Sequence, residues 1–226
     1  MLKLSVEKER ISRVYRSKNE AEKAYTKMSR TYDLFAGTFE ARYSDMALKY
    51  LDIKTGEHVL EIGFGTGCNL SKMAKSVGDT GKIYGIDLSS GMLGVAEKRL
   101  SRTGLLDRVE LICGDAAKIP YDSGNFDAVF ISFTLELFDT PEIPVVLNEI
   151  KRVLKPNGRF GIISMSKESR TTPLIKLYEW AHRKFPQYAD CRPIYVEQSV
   201  RDAGFTISFS ETHKLSGLPV KIVLAQ

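Results

Sequence analysis

The sequence predicts an α/β fold: a seven-stranded, mostly parallel sheet with an antiparallel edge hairpin and helices on both faces. Three observations predict it. From Glu57 onward, short β-rich runs alternate with helical stretches. The strand runs are continuously apolar, as strands covered on both faces must be. The last two runs are joined by only five residues, His213–Gly217, too few for a parallel crossover, so they should pair antiparallel.

The strand candidates are 57–62, 82–87, 109–113, 126–132, 158–164, 205–212 and 218–225. Helix-forming residues at 3–4 spacing occupy 68–77, 89–103 and 142–154, while 116–125 is a polar loop. Residues 165–200 interrupt the alternation with Trp180 and several other aromatic side chains. This insertion follows the fifth strand, and ligands of parallel sheets bind beyond the strands' carboxyl ends, so it is expected to cover a site. In front of the sheet, Ile11, Val14, Tyr15, Ala21, Tyr25, Met28 and Tyr32 recur at helical spacing. Residues 6–33 therefore read as one or two amphipathic helices. The chain divides into a helical lid over 1–40 and a main domain over 41–226.

Composition limits the partners. The formal charge is +5, and residues 1–30 carry all of it, with nine basic and four acidic side chains; the remaining residues are balanced. A body without excess positive charge argues against a nucleic-acid binder. A hydrophobic fraction of 43% with 27% charged residues excludes a disordered body. No apolar run is long enough to span a bilayer, and the first residues lack the apolar core of a secretory signal. Three dispersed cysteines without a CxxC argue against disulfides and fit a reducing, cytoplasmic setting. The three histidines are equally scattered, and no metal is expected. The basic amphipathic segment, residues 1–35, can either close over a site or lie on an anionic membrane surface. The apolar stripe and interspersed acids favour the lid.

The strongest local signal is Glu61-Ile62-Gly63-Phe64-Gly65-Thr66-Gly67, between the first strand and the first helix of the sheet. Glycines there allow positive φ and close approach to a ligand. The dinucleotide pattern G-x-G-x-x-G fails in both registers, because Cys68 and Leu70 fall at the third glycine. No Gly-Lys-Ser/Thr follows, so the loop is not a P-loop either. An acid ending the strand disfavours a pyrophosphate and suits a cation. Asp87 ends the second strand, at the offset where an acid takes ribose hydroxyls. Asp115 follows the third strand and can accept from an adenine amine. Three acids at three successive strand ends describe a pocket for an adenosine that carries positive charge.

The runs VLEIGFGTG, YGIDLS, GDAAKIPY, FDAVFISF and EIKRVLKPNGRF resemble the successive motifs of class I S-adenosylmethionine-dependent methyltransferases. The likeness is greatest to the C-methyltransferases of menaquinone and ubiquinone biosynthesis. It runs from about Thr31 through Met165, returns weakly at Val200–Phe205, and does not extend over 166–199. The resemblance implies a Rossmann-like seven-stranded sheet with S-adenosylmethionine as cofactor. It assigns Glu61, Gly63, Gly65 and Thr66 to the methionine end, Asp87 to the ribose and Leu88 to the adenine face. Met92 is a further adenine contact, Asp115 and Ala116 take the adenine edge, and Ser132 lies near the methyl group. Tyr32 would close over the cofactor from the N-terminal helix.

A catalytic base is less defined. Glu136, His182, Arg192 and Tyr32 are candidates, each with an ordinary structural role as the competing account. Asp127 reads as the structural start of its strand. The acceptor implied is small and apolar or lipid-like, with a quinone or polyprenyl-phenol carbon favoured. Methylation of a phospholipid head group, or of another small molecule at N or O, is the alternative. A nicotinamide oxidoreductase and a non-catalytic binding protein are the readings from other classes.

Overall fold

In the computed structural model the described residues are 11, 13, 14, 16–29, 38–167 and 191–226. Helix α1 is Lys18–Met28 and α2 is Thr38–Leu51. The sheet then builds through β1 (His58–Ile62), α3 (Cys68–Ser76), β2 (Lys82–Asp87), α4 (Ser90–Arg102), β3 (Val109–Cys113) and β4 (Phe126–Ser132). It finishes with α5 (Ile143–Val153), β5 (Leu154–Met165), α6 (Val196–Asp202), β6 (Ile207–Leu215) and β7 (Leu218–Ala225). The strand order is β3-β2-β1-β4-β5-β7-β6. Pairings from β3 through β5 are parallel, and β7 is antiparallel to both neighbours.

Both faces of the sheet are buried, and alternate residues of each strand supply the two cores. Leu60, Ile62, Val129, Ile131, Phe160 and Ile162 join the core under α5 and α6. Val59, Ala128, Phe130 and Ile163 join the core under α2, α3 and α4. This period of two directs Glu61 to the α3 side of the sheet, into a buried position.

The expected strands are present, with shifts where local chemistry was misread. Strand β5 begins at Leu154 rather than 158, because Lys155-Pro156-Asn157 joins it through a register shift opposite Phe126 and Ala128. The hairpin link is shorter than the five expected residues. β6 continues to Leu215, and Ser216 and Gly217 turn with φ of 49° and 86°. Within the expected 6–33 helical stretch, residues 6–10, 12, 15 and 30–33 lie outside the described residues, and Lys18–Met28 is a helix. Ser17 caps it: its hydroxyl accepts from the Glu20 N–H, while the Glu20 carboxylate accepts from the Ser17 N–H. No residue of α1 is fully buried, so its apolar stripe only half-packs.

Helix α2 is the element that the alternation did not foretell. Tyr43, Ala47 and Leu51, four residues apart, bury one face against β5 and β7. The Tyr43 hydroxyl donates to the Lys214 carbonyl at 2.8 Å, and Arg159 Nε donates to the Leu51 carbonyl at 2.9 Å. Of the 165–200 insertion, residues 168–190 lie outside the described residues. Its two ends are tied together: Lys167 N donates to the Ile194 carbonyl at 2.9 Å, and Ile194 N to that of Met165 at 3.1 Å.

Leu51 is fully buried at the end of α2. Truncation to Ala removes contacts that the rigid sheet cannot close over, at a cost of about 3 kcal/mol. Leu51→Ala should lower the thermal midpoint in a circular-dichroism melt while leaving the secondary structure intact at low temperature.

Candidate functional site

A cavity of about 560 Å³ opens at the carboxyl ends of the parallel strands, where β1 and β4 adjoin and the strand order reverses. Its size is that of a small-molecule site. The β1–α3 loop forms its floor. Gly63, Gly65 and Gly67 have φ of 69°, 51° and 79°, all left-handed. A Cβ on Gly63 would collide with Thr134 at under 3 Å, so the loop after β4 packs directly on this backbone. Around Gly65 nothing approaches within 4 Å of such a Cβ. There the glycine serves backbone conformation alone.

Asp87 holds this loop. Its Oδ2 accepts from the Gly65 N–H and its Oδ1 from the Ser89 N–H, both at 2.8 Å. Each carboxylate oxygen keeps a second lone pair, so the side chain can still accept from a ligand hydroxyl. Glu61 is buried beside it. Its Oε1 accepts from the Asn69 amide at 3.2 Å, and its Oε2 has no hydrogen-bond partner. Burial pushes the Glu61 carboxyl up to about 8, with the Asp87 charge adding to the shift and the Asn69 hydrogen bond opposing it. Burial also raises Asp87, against the two N–H donors. Glu61 lines the cavity, and an ammonium group is the kind of partner its unpaired carboxylate oxygen could take.

The remaining predicted cofactor contacts described by the structure line the same cavity. Thr66, Leu88, Met92, Asp115, Ala116 and Ser132 join Glu61, Gly63, Gly65 and Asp87 there. Asp115 Oδ1 accepts from the Ala117 N–H at 2.9 Å. Its Oδ2 accepts from Lys18 Nζ at 2.5 Å, and Lys18 also reaches Glu142 at 2.6 Å. Tyr32 and His182 lie outside the described residues.

Glu136 and Arg192 come together, but away from the cavity wall. Glu136 is fully buried and its Oε1 accepts from the Met165 N–H at 3.0 Å. Arg192, also buried, donates to the Phe138 carbonyl at 2.5 Å and to Thr140 Oγ1 at 3.2 Å. Burial pulls its guanidinium down to about 10, against the attraction of Asp139 and Glu136. Among the described residues both brace the 133–140 loop against the end of β5, and neither lines the cavity. Asp127 is structural as anticipated: it accepts from the His58 N–H at 2.9 Å and from Lys155 at 2.7 Å.

Several cavity residues escaped the sequence reading. Val14, Arg16, Lys18 and Tyr25 roof it from the N-terminal segment, and Glu40 and Ser44 line it from α2. The roof is pinned by charge. Arg13 makes a bidentate contact with Asp139 at 2.6–3.0 Å, and the Val14 N–H donates to the same carboxylate at 2.9 Å. Burial alone would lift Asp139. The Arg13 guanidinium and the N–H groups of Val14 and Thr140 outweigh it and hold the acid at about 2. The missed signal was the Tyr43, Ala47, Leu51 spacing, which would have placed Ser44 on a buried helix face.

Comparison with known proteins agrees with this geometry. Residues 59–158 match a family model described as a methyltransferase domain. A demethylmenaquinone methyltransferase of Lactobacillus johnsonii is 39% identical over 142 residues, 62% of this chain and 57% of that protein. The chain thus spans little more than half the length of that relative. The Staphylococcus aureus demethylmenaquinone methyltransferase is 30% identical over 173 residues, 75% of this chain and 69% of its own length. Among solved structures, a SAM-dependent methyltransferase from Aquifex aeolicus aligns with a TM-score of 0.62 at 26% identity, covering 90% of this chain and 97% of that one.

The raised Glu61 gives a pH test. Its carboxyl titrates near 8 in the fold against an ordinary 4.5, so the folded chain resists ionisation and loses stability as pH rises between those values. Glu61→Gln removes this loss. The variant should melt above the wild type at pH 8.5, with the gap closing toward pH 4.5 in a melting series.

Proposed function

The chain belongs to the class I S-adenosylmethionine-dependent methyltransferases of the menaquinone-biosynthesis type, and from that premise we propose that it methylates a ring carbon of a quinol bearing an apolar chain. One observation carries the cofactor half of this reading. The buried Glu61 Oε2 lacks a partner, and Glu61 lines the same cavity as Asp87 and Asp115. Those residues fit the group. Glu61 would take the ammonium of the methionine end, Asp87 the ribose hydroxyls, and Asp115 the adenine amine, with Met92, Leu88 and Ala116 against the base. Two acids near one positively charged ligand end also explain why they tolerate burial.

When bound, S-adenosylmethionine would supply a methyl group on positively charged sulfur and leave as the neutral thioether, with the ring proton of the acceptor lost to solvent once the cavity opens. The protein's part is to hold the acceptor in line in a dry cavity. The acceptor half rests on the names of the relatives and on the apolar side chains of Val14, Leu137 and Phe138 among the residues that line the cavity. Residues 11–29 act as the lid that keeps water out, latched by Arg13 on Asp139 and by Lys18 on Asp115 and Glu142.

Calorimetry tests the cofactor assignment. S-adenosylhomocysteine should bind and NAD should not, and at pH 7 binding should release protons as the ammonium drives Glu61 to its charged form. Comparing two buffers of different ionisation enthalpy measures that release. Binding of NAD alone would overturn the reading. Transfer of label from S-adenosylmethionine to a short-chain prenyl-1,4-naphthoquinol, kept reduced, tests the acceptor, and the absence of any transfer would remove it.

The lid has its own test. A Cβ on Gly91 would lie 2.7 Å from the Thr26 backbone, where α1 docks on α4. Gly91→Val should lift α1 and weaken S-adenosylhomocysteine by about fivefold, on the order of 1 kcal/mol. Unchanged affinity in calorimetry would detach the lid from cofactor binding.

A further inference from the structure

We infer that Ser44 and Ser132 form a two-hydroxyl clamp for the oxygen of the acceptor that flanks its reacting carbon, an inference that rests on the quinol reading above. Ser132 ends β4, and Ser44 projects from the middle of α2 into the same cavity. Ser44 is only 3% exposed. Its neighbours on the buried face, Tyr43, Ala47 and Leu51, all pack against the sheet, so this hydroxyl and the Glu40 side chain one turn away are the polar groups that the described part of α2 brings to the cavity.

Neither hydroxyl is well satisfied. A buried helical serine ordinarily returns its proton to a carbonyl one turn back. Among the described residues, Ser44 Oγ has a single partner, Ser132 Oγ at 3.4 Å. That is longer than the usual 2.5–3.0 Å of an O–H···O bond. Ser44 is buried and Ser132 half-buried at the cavity, with one weak contact between their hydroxyls, and an unmet buried hydroxyl such as that of Ser44 is costly. Two oxygens 3.4 Å apart can both donate to one atom at ordinary distance. The site that they converge on accepts hydrogen bonds.

Rigidity makes this useful. The Tyr43 hydroxyl on Lys214 and the Arg159 guanidinium on Leu51 fix α2 on both sides of Ser44. On the other side, Thr134 Oγ1 donates to the Ser132 carbonyl at 2.9 Å and packs on Gly63. Both donors are thus positioned before any ligand arrives. Charge selects the ligand. A cationic acceptor would be repelled by the positive sulfur, whereas the oxygen of a quinol carries the negative charge that feeds the ring carbon beside it. Two fixed O–H donors stabilise that oxygen most as it ionises.

The test separates this clamp from the reading that it rests on. Protein saturated with S-adenosylhomocysteine is titrated with a short-chain prenyl-1,4-naphthoquinol and, separately, with the matching prenylnaphthalene, which lacks both oxygens. Ser44→Ala should weaken the quinol about three- to tenfold. It should leave the hydrocarbon and S-adenosylhomocysteine itself unchanged, and Ser44→Thr should restore the quinol. Ser132→Ala should discriminate the same two probes from the strand side, whatever it does to the cofactor. Equal weakening of quinol and hydrocarbon, or unchanged quinol affinity in both alanine variants, overturns the clamp while wild-type methyl transfer leaves the quinol reading standing. Wild-type protein that binds S-adenosylhomocysteine but neither binds nor methylates the quinol removes both.

Discussion

One carboxylate organises the cavity. Asp87 accepts from Gly65 on the β1 loop and from Ser89 at the cap of α4, so a single side chain sets the distance between two strand ends. The glycine loop turns through left-handed φ at Gly63, Gly65 and Gly67, and the Asp87 contact at its centre adds to the backbone bonds of Gly63 to Ile86 and Gly67 to Phe64. Its anchorage lets Thr134 seat on Gly63 and brings the end of β4 down onto the floor. Glu61 then faces a cavity whose walls are already placed. Two buried acids in one small volume are unfavourable when both are charged, and Glu61 relieves that cost by holding its proton up to about 8.

Charge is distributed accordingly. The +5 of the chain belongs to its first residues, and the described part of that segment spends it on acids around the cavity mouth. Arg13 takes Asp139, and Lys18 takes Asp115 with Glu142. These pairs are partly exposed and individually weak. In the proposed lid they would serve as a salt-sensitive latch, one that can open for exchange more readily than a hydrophobic core. No helix among the described residues is long and apolar enough to cross a membrane.

Much of this was legible in the chain. Runs such as Val59–Ile62 and Phe126–Ser132 are apolar on both faces and can be little else than central parallel strands. The glycines and acids at their ends are local signals, readable because each acts within a few residues of its own strand. Glu136 and Arg192 were harder. A charged residue beside a strand end looks the same in sequence whether it faces a ligand or braces a loop, and their burial against Met165, Phe138 and Thr140 is decided by chain segments far apart in sequence. Lys18 was obscured in the same way among eight other basic residues of the first thirty. Helix α2 carries its apolar residues four apart but stands alone before β1, outside the alternation that made the other helices recognisable.

Local pattern alone determined the sheet, the edge hairpin and the glycine loop with its three acids, because strand period and backbone conformation are short-range properties. Tertiary structure alone decided which acids would face a ligand, which would be consumed by arginine and lysine, and which hydroxyls would meet. Ser44 and Ser132 are 88 residues apart in the chain and 3.4 Å apart across the cavity. That meeting depends on α2 lying across β5 and β7, a packing that no local signal specifies.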